Sequence, residues 1–404
     1  MLDEVRSATG ALLWQAVRDV VLWATTPEDA RSRLFGEDAY DHRVTAIRAR
    51  EMEDDVRKWL ILLAGVVSGR EQPGREEISR TCRRISRWAD ETQLPRTAIW
   101  YAQAASLCFP EGAEHAYNVG WLLRRSQEYP RAEAWYRRAI GLARRRRDAH
   151  TYARAYMGLG NLYIQRDEYE RARLAFERAL QTARRAGLRK LRAEAFHDLF
   201  SVAAETKQVV DAEIYARKAF HAYPSGHPRL PQLAHDVAVF WMLQGFYNRA
   251  LPVFESVARV LTRPADRLLI LSNLARAAGG AGRIDVFTSA WADTWQIVDD
   301  KPHLECVTSS LLRLAYGSAL LRDWERVDLA ARFALELATR RGQQAVRREA
   351  EEVLSAAEQQ RFTETVLPAP AEVAVTDAAD ALAGHLVRRL AACAGGEDRP
   401  RMDC

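Results

Sequence analysis

The chain of 404 residues is 48% hydrophobic and 28% charged, with a net charge of +5 at pH 7. Such a composition fits an ordered, soluble protein and excludes a low-complexity or disordered chain. The longest apolar run, "WLILLAGVV" from Trp59 to Val67, falls far short of the roughly 20 residues that cross a bilayer, so no membrane partner is expected.

The opening "MLDEVRSATG" is acidic ahead of its apolar stretch, and Arg18 and Asp19 interrupt that stretch. A secretory leader needs the opposite charge order, so none is expected. "LLWQAVRDVVLWA" carries Leu12, Leu13, Gln15, Ala16, Val20 and Trp23 near helical spacing. In "TTPEDARSRLF", Thr26 reads as an N-cap with Pro27 at the first helical position and acids in the first turn. "RAREMEDDVRKWLILLAGVVSG" reads as a further helix that stops near Gly69. Together these predict an N-terminal helical bundle over residues 1–75, with Trp14, Trp23 and Trp59 in its core.

Residues 76–112 then show a degenerate helix pair. Ala98, Ala102 and Ala105 provide small residues at helical offsets, and Pro95 marks the turn. From Ala113 the pattern becomes periodic. "AYMGLGNLYIQRDEYERARLAFERAL" places Leu159-Gly160, Tyr163, Tyr169, Ala172, Phe176 and Ala179 in order. The Ala172 column continues as Ala132, Ala172, Ala212, Ala250, Phe287 and Val327. Three residues earlier stand Tyr129, Tyr169, Val209, Tyr247, Ile284 and Trp324, and twelve earlier stand Gly120, Gly160, Phe200, Ala238, Ala275 and Ala315. Small residues on one helix let its partner approach, and each unit leaves an apolar face that only the next can cover.

This pattern resembles the tetratricopeptide repeat, the helix-turn-helix unit of α-solenoids. Spacings of 37 to 40 residues exceed the usual 34. They resemble those of kinesin light chains and of the Rap-like receptors of peptide pheromones. The fold class implied is all-α: a right-handed α-solenoid with an N-terminal bundle and a C-terminal capping helix. Six repeats occupy 113–354, followed by a Pro-containing linker (355–375) with Pro368 and Pro370. The helix at 376–393 carries Ala379, Leu382, Leu386 and Leu390 on one stripe and is expected to seal the last repeat. A flexible tail (394–404) is expected beyond it.

Motifs for chemistry are missing. There is no GxxxxGK[ST], HExxH or GxSxG, and "GGAG" at Gly279–Gly282 follows no strand. That stretch reads instead as an inter-helix turn, with Gly282 free to adopt a left-handed conformation. The cysteines Cys82, Cys108, Cys306, Cys393 and Cys404 are odd in number and lack CxxC spacing. They point to reduced thiols in a cytosolic protein, with neither a disulfide framework nor a zinc cluster. No cofactor, metal or catalytic residue is expected. The arginine run Arg144–Arg147 suits the C-terminal end of a helix dipole. It lacks the aromatic–basic alternation of a nucleic-acid surface, so nucleic acid is not the expected partner.

In tetratricopeptide proteins the first helix of each repeat lines a concave groove, and carrying those positions over gives the expected contacts. They are Tyr117, Asn118, Trp121 and Arg124 in the first repeat, Arg154 and Asn161 in the second, and His197 and Asp198 in the third. His235 and Asp236 follow in the fourth, Asn273 and Arg276 in the fifth, and Arg313 and Tyr316 in the sixth. Asn side chains suit the backbone of an extended peptide, and Arg grips carboxylates bidentately. Aromatic faces take apolar side chains. The two His-Asp pairs fall at equivalent positions of neighbouring repeats, about 8–10 Å apart by helix packing. That is near enough to share a ligand and loose for direct coordination of one metal, whose His bonds are near 2 Å.

The expectation is a non-enzymatic, cytoplasmic adaptor or regulator that binds a protein or peptide in this groove. Two alternatives remain open. One is a Rap-like regulator whose bundle acts on a signalling partner, even as a phosphatase, although no local pattern marks Gln15 as catalytic. The other is a nucleic-acid-binding solenoid.

Overall fold

The computed structural model describes residues 4–5, 8–36, 38–68, 73–360 and 377–394. Among the described residues the regular structure is entirely helical. The chain forms two compact units, 1–198 and 199–404. The border lies inside a helix of the third repeat rather than at a boundary expected from composition. A repeat array makes mainly neighbour contacts, so no sequence break need mark such a division.

Unit 1 begins with α1 (Ala8–Thr25), α2 (Ala39–Arg48) and α3 (Asp54–Ala64). Leu13, Val17, Val20 and Trp23 of α1 and Leu60 and Leu63 of α3 share one core with Ile78, Cys82, Ile85 and Tyr101. Those last residues belong to α4 (Arg75–Glu91) and α5 (Pro95–Cys108), which form the degenerate pair. Tyr101 crosses the core to donate a hydrogen bond to the Leu13 carbonyl at 2.8 Å. Glu4 accepts from the Arg96 and Thr97 amides at 2.7 and 2.8 Å, which satisfies donors that α5 itself leaves open.

Three expectations for this region fail. Trp14 is 43% exposed, with Arg18 over its ring, rather than part of the core. Thr26 is not an N-cap: its hydroxyl donates back to the Leu22 carbonyl, closing α1, and a 3-10 turn over Glu28–Arg33 follows. The helix read across 48–69 is interrupted, because α2 ends at Arg48 and α3 starts only at Asp54. Three acids, Glu53 to Asp55, crowd that start and favour the positive end of the α3 dipole.

The repeats of unit 1 pair α6 (Ala113–Arg125) with α7 (Tyr129–Arg146) and α8 (Ala149–Ile164) with α9 (Tyr169–Arg185). The third repeat starts with α10 (Arg189–Glu205), which crosses the border, and continues in unit 2 with α11 (Val209–Ala222). Unit 2 adds α12 (Leu230–Leu243) with α13 (Tyr247–Val260), α14 (Pro264–Gly280) with α15 (Ile284–Asp300), and α16 (Val307–Leu320) with α17 (Trp324–Arg340). Then come α18 (Gln344–Glu358), packed on α17, and α19 (Asp377–Ala394). Residues 355–358, read as linker, are the last turn of α18; the rest of the linker from 361 and the tail from 395 lie outside the described residues.

The sequence columns acquire a physical meaning here. The column Tyr129, Tyr169, Val209, Tyr247, Ile284 and Trp324 is the first residue of every second helix. The column three residues on, from Ala132 to Val327, is fully buried throughout. Two residues before each second helix the chain turns left-handed, at Gln127, Asp167, Lys207, Gly245, Gly282 and Arg322, with φ between 57° and 83°. The next amide donates to the carbonyl five residues back at 2.8–3.0 Å, the Schellman arrangement that ends a helix. Only two of these six positions are Gly, so glycine does not mark most of the turns.

In unit 2 the first helices α14 and α16 come unusually close. A Cβ on Gly279 would lie 2.2 Å from the Gly317 carbonyl oxygen, so the two backbones touch where side chains would normally intervene. Their second helices are bridged by rings instead, Phe287–Trp291–Trp295–Phe333, with centroids 5.3 to 6.0 Å apart.

The C-terminal helix is present, but it does not seal the last repeat. α19 packs on α13, α11 and α12, burying Ala379, Leu382, Ala383, Leu386 and Leu390. Asp380 pairs with Arg249 at 2.7 Å, and Arg389 donates to the Phe220 carbonyl at 2.8 Å. An amphipathic stripe shows that a helix must be covered; it does not show the seat, which here includes the buried Arg249.

Candidate functional site

The expected groove residues fall into two separate groups, one in each unit. In unit 1, Arg154 of α8 lies over the ring of Tyr117 of α6 at 4.3 Å, and Tyr117 tilts against Tyr136 at 5.8 Å. Burial pushes the Tyr136 phenol well above its ordinary value, with Tyr117 adding to the effect. Trp121 is covered by Arg125, which is drawn away to Asp90 of the preceding pair at 2.7 Å. Arg124 is half-buried beside them, with its Nε enclosed. Asn118 and Asn161 are half-buried on α6 and α8. His197 is buried at the end of unit 1, with Asp198 half-buried beside it. The ladder expected between this His-Asp pair and the one at 235–236 would span the two units and stays an expectation.

Unit 2 holds the more connected group. His235 of α12 lies 3.0 Å from Asp236 through Nδ1 and 3.0 Å from the Asn273 amide of α14 through Nε2. The tautomer that satisfies both has Nδ1–H donating to the carboxylate and Nε2 accepting from Asn273. One helical turn further along α14, Arg276 lies over the ring of Tyr316 of α16 at 4.5 Å. The Tyr316 hydroxyl donates to Glu349 of α18 at 2.8 Å. Arg313, one turn before Tyr316, donates to its own helix at Ser309 Oγ, 3.1 Å away. A strip of polar and aromatic side chains thus joins α12, α14, α16 and α18 through side-chain contacts.

The strip is deeper than a groove inventory suggests. Asn273, Arg276 and Tyr316 are buried, as are their neighbours Ser272 and Leu312. The cause is the Gly279–Gly317 contact, which pulls α14 and α16 together and encloses side chains that a wider pitch would leave open. Arg276 is 9% exposed, and its Nε meets no acceptor. Burial pulls its guanidinium below the ordinary arginine range, and burial together with the neighbouring Arg276 charge does the same to Arg313.

Glu349 was missed because the groove inventory stopped at the sixth repeat. α18 starts 37 residues after α16, at Gln344 against Val307, and Glu349 stands 37 residues after Leu312. Extending the groove positions by one helix would have found it.

Elsewhere the chemistry is quiet. Burial raises the Cys82 thiol well above its usual range and pushes Cys108 up to about 12, so both are inert at neutral pH. Among the described residues no group of three or more His, Cys, Asp or Glu side chains is arranged to hold a metal ion, and no described helix is long and apolar enough to cross a membrane.

Residues 111–185, which cover α6 to α9, match the family model of the tetratricopeptide repeat. Those four helices are tetratricopeptide repeats. No curated protein matches the sequence of the chain. Among solved structures, the chain is similar to a signal transduction ATPase with numerous domains, which carries a tetratricopeptide repeat sensor, from Pyrococcus horikoshii. That likeness has 11% identity and a TM-score of 0.57, over 87% of this chain and 59% of that one. It shows a shared all-α solenoid fold. The apo form of RapI is similar at 16% identity and TM-score 0.46, over 70% of this chain and 98% of that one. A Rap protein complexed with competence and sporulation factor is similar at 12% identity and TM-score 0.46, over 82% of this chain and 99% of that one. Repeats of this kind serve protein interaction in general, and the finer function has to be argued from the site.

Proposed function

We propose that this chain is a non-enzymatic adaptor that binds an extended protein segment or peptide along the first helices of its repeats. The observation that carries this reading is the strip in unit 2. His235, Asn273, Arg276 and Tyr316 link the first helices of three successive repeats by side-chain contacts, and they offer amide, imidazole and guanidinium groups. An extended peptide presents alternating backbone donors and acceptors, which such a row of Asn, His and Arg can read without catalysis. The phosphatase-like alternative draws less support. With its amide set to suit its neighbours, the Gln15 oxygen accepts from Arg43 at 2.8 Å, and Arg43 also pairs with Asp19. That is the environment of a structural side chain.

Photo-crosslinking in cells producing the full chain tests the proposal. A photoreactive residue replaces His235 in the strip or, as a control, Val210, which is 66% exposed on the second helix α11. A discrete protein or peptide adduct is expected at position 235, absent at 210 and reduced by Asn273→Ala. Equal labelling at both positions, or none at 235, would sink the reading.

A further inference from the structure

We infer that one edge of unit 1 binds the phosphodiester backbone of a nucleic acid, a site separate from the strip in unit 2. α7 and α9 run the same way with α8 packed between them, so their C-terminal ends share an edge. Arg146 lies over the Phe109 ring at 5.5 Å, and Arg138 donates to the Pro110 carbonyl at 3.4 Å, which brings the turn before α6 to the same edge. Arg144 to Arg147 are exposed there at the end of α7. One repeat on, Arg184, Arg185, Arg189 and Lys190 are exposed around the turn from α9 to α10. Among the described residues none of these cations is held in an ion pair. The turns 109–115, 143–150 and 183–190 carry the acids Glu111, Glu114 and Asp148. Glu114 is drawn to Arg83 at 3.0 Å, and Asp148 caps α8 by accepting from the Thr151 amide at 2.9 Å. That leaves Glu111 to face both basic clusters.

The opposite ends of the same helices show that unpaired arginine is not general in this unit. Arg131, Arg137, Arg166 and Arg171 all pair there with Glu128, Glu133 or Glu168. The helix dipole accounts for cations that end α7 and α9. It does not account for Arg189 and Lys190, which open α10 at its positive end with no acid in the first turn. Arg147 is also costly as a structural residue. It is left-handed, φ 55°, where the next repeat has Gly187 at φ 67°, a conformation that disfavours side chains. Two guanidiniums lie on ring faces, Arg146 on Phe109 and Arg184 on Phe196 at 5.3 Å. That steadies them and leaves their in-plane N–H donors free for phosphate oxygens. The aromatic partners that the arginine run lacks in sequence are thus supplied in space. With neighbouring helix axes 8–10 Å apart, the two clusters stand roughly 16–20 Å apart. One inorganic anion does not span that distance, whereas a strand with a charge at every phosphate does. A basic patch by itself holds a bilayer weakly, and the exposed neighbours of the cations in the second turn are the small Ala186 and Gly187.

Fluorescence anisotropy of the full chain with labelled probes tests the inference. The probes are a short single-stranded oligonucleotide, a duplex of the same length, and a polyglutamate peptide of matching charge. At least one of the two nucleic acids is expected to bind roughly tenfold or more tightly than polyglutamate, with an affinity that falls steeply as salt rises. Which of them binds better names the form recognised. Arg145→Gln with Arg185→Gln is expected to weaken binding and to lower the salt slope by about one for each arginine removed. Arg131→Gln with Arg137→Gln removes the same charge from the opposite edge and is expected to leave binding unchanged. Arg147→Gly separates binding from folding: it is expected to weaken binding while melting no lower than the unchanged protein, since glycine suits the left-handed turn. The inference is overturned if polyglutamate binds as tightly as both nucleic acids, if vesicles containing phosphatidylserine compete the oligonucleotide away, or if the two double variants weaken binding alike.

Discussion

Two buried arginines in unit 2 meet opposite fates. Arg249, on α13, sits between the faces of Phe246 and Trp241 and is neutralised by Asp380 of α19, with Glu213 behind it. Arg276, on α14, is equally buried, lies on one aromatic ring, and has no carboxylate within ion-pair reach among the described residues. Removing a charge from water costs several kcal/mol unless a partner and hydrogen bonds compensate. The first arginine is therefore a structural clasp. The second is a cost that the packing around it has to carry, which is common where a surface is kept ready for a ligand.

The contrast can be broken at its structural origin. Gly279→Ala would push a methyl group into the Gly317 carbonyl and force α14 and α16 apart. The backbone cannot yield as a flexible side chain would, so the loss should reach the upper end of the roughly 1–3 kcal/mol typical of overpacking. Denaturant unfolding measures it; an unchanged midpoint would mean that the close approach is not needed.

Asp380→Ala would make Arg249 resemble Arg276. Breaking a fully buried pair costs about 3–5 kcal/mol, but Asp380 is more than half exposed and Glu213 remains. A loss of about 1–2 kcal/mol is expected after that discount for solvent screening. α19 should also become accessible to limited proteolysis at Leu382–Leu390. Protection equal to that of the unchanged protein would show that apolar burial alone holds the helix.

Arg276→Met sharpens the comparison from the other side. Replacing a buried ionic group by an apolar one of similar volume is often neutral or stabilising by about 1–4 kcal/mol. A gain of about 1 kcal/mol is expected here, while Arg249→Met, which strands Asp380 and Glu213, should bring none. If both variants are destabilised alike, the two arginines are equivalent and the contrast fails.

The smallest effect concerns a half-buried group that can shed its charge, as arginine cannot. His115 in unit 1 touches Ser79 Oγ at 2.8 Å through Nε2, and that hydroxyl donates to the Ala105 carbonyl at 2.9 Å. Nε2 therefore carries the proton, and the enclosed Nδ1 has no acceptor if it is protonated too. Burial holds the His115 pKa below 6.5, Arg83 adds to this, and Glu114 opposes it. With the folded pKa depressed, the unfolded chain binds the proton more readily. Stability is full above about pH 6.5 and declines as pH falls from there through the folded pKa. The slope from this group is no steeper than one proton, about 1.4 kcal/mol per pH unit. His115→Gln should flatten that part of the stability profile; an identical profile would remove His115 as the cause.

The sequence alone determined the repeat. Its columns record local rules: a small residue where helices touch, a large apolar residue at the start of each second helix, and a period set by two helices and two turns. Those rules act within one or two repeats, so Ala132, Ala172, Ala212 and Ala250 could be read as buried without coordinates. First-helix positions are legible in the same way, so the repeat period alone places Asn273, Arg276 and Tyr316 on first helices.

Tertiary structure decided what local rules do not encode. Left-handed turns at Gln127, Asp167, Lys207 and Arg322 are imposed by the helices they join and carry no glycine to announce them. α19 is recognisable as a helix with one apolar stripe, yet its seat on α11–α13 brings it against residues far away in the chain, among them the buried Arg249. Whether Arg276 would be open or enclosed depended on two glycines on different helices meeting backbone to backbone. A sequence shows which side chains want burial or partners; only the packing of distant segments decides which of them are left with a charge unanswered.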